Sequence, residues 1–138
     1  DFVSTGDFVG LYSFPTWSNR QFSTTSQNYT RDSDQIFNRT RIDRFLPDGA
    51  TEAWYLSGQA FPSGGGQMDI RLQDSNQEVT IAKRTGISRN TRGELINWTE
   101  TSGSLDTTFR SRIGVEIRSS DGTTVELNEP NLVLGVSL

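Results

Sequence analysis

The chain has 138 residues, a formal net charge of −4 and a pI near 4.8. It contains no cysteine and no histidine, which excludes disulfides, thiolate metal or redox sites and every nucleophile–base pair built on imidazole. The acidic balance offers no basic footprint for non-specific nucleic-acid binding. No apolar run approaches the ~18–20 residues of a membrane-spanning helix, so no membrane insertion is expected.

Leu, Ile, Val and Phe total 33 residues, above the level at which disorder is the expectation. The length suits a single domain, residues 1–138. Ser and Thr number 16 each, a composition that favours strand surfaces and turns over helix interiors. Lys83 is the only lysine beside 12 arginines. Arginine pairs with carboxylates through two donors and stacks on rings, so it favours fixed contacts.

In chain order, residues 1–10 hold two apolar pairs, Phe2-Val3 and Phe8-Val9, and residues 7–14 read as a strand ended by Pro15. Residues 16–35 are polar and irregular and are expected to form a surface loop or a short helix. Within them Trp17, Asn19, Arg20 and Tyr29 are candidate ligand or glycan contacts, since an aromatic in a polar loop brings an apolar face beside amide and guanidinium donors. Asp32 and Asp34 are two residues apart and would share a strand face, the nearest arrangement to a catalytic or cation-binding carboxylate pair.

"FLPDGATEAW" predicts a hairpin turn at Pro47–Gly49 between strands at about 35–46 and 51–61. Trp54 and Tyr55 should point to opposite faces. Residues 61–67, with Gly64–Gly66, read as a loop that lacks the lysine of a phosphate cradle. In "GQMDIRLQD", Met68, Ile70 and Leu72 alternate with Asp69, Arg71 and Gln73. A turn at 74–77 leads to a strand beginning near Glu78. A second turn at 89–94 precedes a strand through Ile96 and Trp98, whose side chains should share the core face. A third, at 102–106, precedes the strand carrying Phe109. Ile113, Val115 and Ile117 alternate with Glu116 and Arg118. "SSDG", residues 119–122, then predicts a hairpin to Val125 and Leu127.

Pro130 is expected to halt that strand. After it, Leu132, Leu134, Val136 and Leu138 fall on one face. Four such side chains must be covered, either in their own fold or by strand addition to a neighbour. Phe2, Val3, Phe8, Val9 and these four residues are therefore candidate assembly contacts, with 1–10 and 131–138 as possible inter-subunit strands. Glycosylation triplets begin at Asn28, Asn38 and Asn97.

The pattern predicts an all-β fold: an antiparallel β-sandwich, jelly-roll-like, or a β-barrel, of about nine short strands. No cofactor and no metal site is expected. Three functions fit. The first is a non-enzymatic structural subunit that assembles with copies of itself, extracellular, on a cell surface or in a virion such as a tail, decoration or capsid-surface protein. The second is a secreted carbohydrate-binding module with glycan partners. The third is a barrel holding a small apolar ligand.

Overall fold

The computed structural model describes residues 8–13, 21–38, 51–74, 78–99 and 110–137. Among them run nine strands: β1 (Phe8–Ser13), β2 (Gln21–Thr24), β3 (Thr30–Asn38), β4 (Thr51–Pro62), β5 (Met68–Asp74), β6 (Val79–Ile87), β7 (Thr91–Thr99), β8 (Arg110–Ser119) and β9 (Val125–Ser137). The first sheet has the order β1-β9-β4-β7, with β2 also paired to β9. β1 lies along residues 133–137 of β9, and β2 along residues 125–128. The second sheet has the order β3-β8-β5-β6. Every described pairing is antiparallel.

Among the described strands from β2 onward, only β5 and β6 are consecutive within one sheet; each of the other consecutive pairs is divided between the two sheets. With all pairs antiparallel, this is the strand order of a two-sheet jelly roll. It sets aside the up-and-down barrel, in which sequential strands pair.

The alternation read from the sequence explains the core. Met68, Ile70 and Leu72 of β5 and Ile113, Val115 and Ile117 of β8 are buried from the second sheet. Trp54, Leu56 and Ala60 of β4, and Val125, Leu127, Leu132, Leu134 and Val136 of β9, meet them from the first. Tyr55 stays partly exposed on the opposite face from Trp54, as expected of strand neighbours.

Several expectations need correction. Residues 119–122 do not close a hairpin: β8 and β9 lie in different sheets. The favoured Asp-Gly hairpin turn needs positive φ at both central residues, and here only Gly122 has it, at 88°. The segment is a corner capped by side chains. Ser119 Oγ accepts from the Gly122 amide at 3.0 Å, and Asp121 Oδ1 accepts from the Thr123 amide and hydroxyl at 3.0 and 2.7 Å.

This corner is tied to two other loops. The Ser119 amide donates to Ser26 O at 2.8 Å, the Ser120 amide to Gln67 O at 3.0 Å, and the Ser63 amide to Thr124 O at 3.1 Å.

The polar stretch 16–35 is not a loop or helix throughout, since it contains β2 and the start of β3. β2 is four residues long and survives as an edge strand on β9, with Phe22 packed against the core. The turn expected at 89–94 is shorter, because Thr91–Gly93 already belong to β7. Pro130 does not end a strand; β9 runs through it to Ser137. The first arm of the hairpin expected at Pro47–Gly49 begins at 35–38, which pairs with β8, not β4. That turn itself and the one at 102–106, with Phe109, lie outside the described residues.

Candidate functional site

The outer face of the first sheet carries a cleft made by irregularities in three neighbouring strands. In β9 the buried positions are odd at Val125 and Leu127 and even at Leu132, Leu134 and Val136. Between them the register against β4 steps from Gln59↔Asn128 to Ser57↔Asn131, so that Gly58 alone faces both Glu129 and Pro130. The extra residue is a β-bulge, which switches the phase so that both runs face inward. Glu129 sits there with φ of 49°, a left-handed conformation that disfavours side chains bearing Cβ.

β4 contributes Gly58, whose φ is 153° and on which a Cβ would lie 2.9 Å from Asn128 O. Only glycine lets the two backbones come this close. Opposite it, β7 has Gly93 at φ 90°, and the β4–β7 register shifts between Leu56 and Ser57.

The result is an open polar cleft of about 430 Å³, lined by Ser57–Gln59 of β4, Arg92 and Gly93 of β7, and Glu129 and Asn131 of β9. It shares Gln59 and Glu129 with a second depression of about 330 Å³ that reaches Gln21 of β2 and Asn128. The two volumes lie in the range of small-molecule sites. Together they run across the strands from β2 to β7. Three interstrand spacings make that about 14 Å.

The donors and acceptors are amides, a guanidinium and carboxylates. Gln21 Nε2 donates to Glu126 Oε1 at 2.6 Å, and Asn128 Nδ2 to Glu126 Oε2 at 3.2 Å. Asn128 Oδ1 is buried with no hydrogen-bond partner among the described residues. A buried acceptor in this position can take a hydrogen bond from a ligand hydroxyl or a water.

The outer face of the second sheet is built differently. Arg31 of β3 and Arg71 of β5 both stand opposite Glu116 of β8, and Arg118 stands opposite Asp69. Arg31 Nε donates to Glu116 Oε2 at 2.8 Å and Arg71 Nε to Oε1 at 2.6 Å. Arg118 Nε donates to Asp69 Oδ2 at 2.7 Å, and the Gly86 amide to Oδ1 at 2.9 Å. The guanidinium carbons of Arg71 and Arg118 lie 4.0 and 4.4 Å from the centre of the Tyr29 ring, within cation–π range.

Burial raises the pKa of Tyr29; Arg118 and Arg71 oppose the shift, while Asp69 and Glu116 add to it. Burial likewise raises Tyr55, with help from Glu94. A folded pKa above the ordinary value of about 10 means the unfolded chain ionises first as pH rises. The associated stability is therefore present below pH ~10 and is lost as pH climbs through the folded values. We expect Tyr29→Phe to flatten the alkaline fall in unfolding midpoint and to remove one late-titrating phenol from the phenolate absorbance curve.

Of the residues singled out from sequence, Tyr29 lies in the second-sheet cluster. Leu132, Leu134 and Val136 are core residues, covered within the chain's own fold, so they are not exposed contacts. Phe8 and Val9 fall in β1, which pairs with β9 of the same chain. Asn28 and Asn97 are exposed, and the Asn97 amide donates to Glu94. Asn38 is the last residue of β3. Asp32 and Asp34 lie on β3, where the register against β8 is irregular between Arg31 and Asp34. Phe2, Val3, Trp17, Asn19, Arg20 and Leu138 lie outside the described residues.

Gln59, Arg92, Glu129 and Asn131 were not singled out. The signals for them were present: glycines inside two strands and a change of parity around Glu129-Pro130. No family model and no curated protein matches this chain.

Proposed function

We propose that this chain is a non-enzymatic binding domain that holds an extended, hydroxyl-rich ligand of the saccharide class across the outer face of its first sheet. The observation that carries this is the alignment of three strand irregularities into a polar cleft that adjoins a second depression, the two together about 14 Å across the strands. Bulges re-aim side chains and are over-represented next to active sites. Amides, a guanidinium and a carboxylate at the cleft offer the paired donors and acceptors that vicinal hydroxyls need. The absence of His and Cys from the sequence removes the usual nucleophile–base pairs.

A glycan array followed by calorimetry tests the reading. A neutral oligosaccharide is expected to bind, and Gln59→Ala with Arg92→Ala is expected to weaken it at least tenfold, with the circular dichroism spectrum unchanged. A folded protein that retains no glycan, or a double variant that binds as well as the parent, would refute it.

A second reading, a self-assembling structural subunit of a virion or cell surface, is supported by the jelly-roll order, which viral capsid and lectin domains share. That support is an analogy of fold. Sedimentation at micromolar concentration decides it: closed or open polymers support it and a strict monomer removes it.

A further inference from the structure

We infer that the outer face of the second sheet is a docking surface for an acidic polysaccharide, whose carboxylate or sulfate groups meet Arg71, Arg118 and Lys83. The inference does not rest on the cleft of the first sheet. It starts from the way the charges are layered. The carboxylates lie underneath: the Glu116 and Asp69 side chains are 8% and 11% exposed. The guanidinium groups lie above them: Arg31, Arg71 and Arg118 are 34%, 28% and 39% exposed. Lys83, opposite Arg71 on β6, is exposed as well. An approaching ligand therefore meets a positive outer layer, although the chain as a whole carries −4.

The cations are also held in place. Arg71 and Arg118 each engage a buried carboxylate through Nε and stack over Tyr29. Both side chains remain partly exposed, so each guanidinium still reaches solvent. A fixed guanidinium with outward donors recognises a carboxylate or sulfate without first losing side-chain entropy.

The spacing chooses among polyanions. Lys83 stands directly opposite Arg71 on the next strand, ~4.8 Å away, and Arg118 stands diagonally from Arg71, roughly 7–8 Å away, spacings comparable to one charge per sugar ring. Duplex DNA carries a charge every ~1.7 Å and would press most of them against an acidic molecule.

The test is titration of the folded chain with heparin, with neutral dextran and with duplex DNA at about 50 and 200 mM salt. Heparin is expected to bind at the lower salt and weaken at the higher. Lys83→Glu, at an exposed position, is expected to weaken it at least tenfold without changing the unfolding midpoint. Arg118→Gln should also weaken it, with a lower unfolding midpoint because Asp69 loses its charged partner, and Gln59→Ala should leave heparin affinity intact. Absence of heparin binding at low salt, equal affinity for DNA, or full affinity in Lys83→Glu would overturn the inference. Loss of neutral-glycan binding alone would count against the first-sheet cleft only.

Discussion

Deleting Glu129 is expected to unfold the domain, whereas Glu129→Gly is expected to leave it folded. The two changes remove the same side chain but differ in what they do to the phase of β9. Val125 and Leu127 enter the core on odd positions, and Leu132, Leu134 and Val136 on even ones. One extra residue reconciles them. Without it, a one-residue slip turns one of the two runs to the solvent face. If the later run is turned out, three fully buried aliphatic side chains are exposed at about 1.5–3 kcal/mol each. That sum, roughly 5–9 kcal/mol, is comparable to the whole stability of an ordinary domain, ~5–15 kcal/mol. Glycine keeps the chain length and tolerates φ of 49° without Cβ strain. Its relief of that strain, ~1 kcal/mol, is set against its greater backbone entropy in the unfolded chain. Urea unfolding checks both. A deletion variant with the parent's midpoint would show that the phase switch does not hold β9 in place.

The same bulge marks where reading the sequence succeeds and where it stops. Period two exposes any strand whose outer face is polar, so β5 and β8 are legible down to which residue points inward. What alternation does not show is the partner. Asp121-Gly122 between two alternating runs satisfies the hairpin pattern equally well whether the strands pair or lie in opposite sheets. The difference is set by contacts to Ser26, Ser63 and Gln67, distant in sequence. β2 is invisible for another reason: its four residues offer Phe22 alone to the core, and its pairing with β9 is long-range. The cleft escapes notice because its residues are polar ones in strands, where alternation predicts only a wet face. The apolar row at Leu132–Val136 did have to be covered, and its own sheet partners and the facing sheet cover it.

Removing the charge of Glu116 should cost more than any other single change on the outer face of the second sheet. Its carboxylate links three strands, accepting from Arg31 on one side and Arg71 on the other. Glu116→Gln keeps the shape and leaves two guanidinium groups facing a neutral amide. Breaking a fully buried pair costs ~3–5 kcal/mol; because both arginines reach solvent, we expect about 1–3 kcal/mol, seen as a lower unfolding midpoint. The informative comparison is the triple change Arg31→Met, Glu116→Leu, Arg71→Met. Uncharged side chains of similar volume often replace a buried ionic cluster at no cost, so the triple variant should be closer to the parent in stability than Glu116→Gln is. It should nonetheless bind heparin more weakly, because Arg31 and Arg71 leave the positive outer layer and only Arg118 and Lys83 remain of it. Stability restored while polyanion binding is weakened would mean that this layer of arginines is kept for its charge and not for the fold. A triple variant less stable than Glu116→Gln would mean the reverse: the ladder holds β3, β8 and β5 together, and its outward charge is incidental.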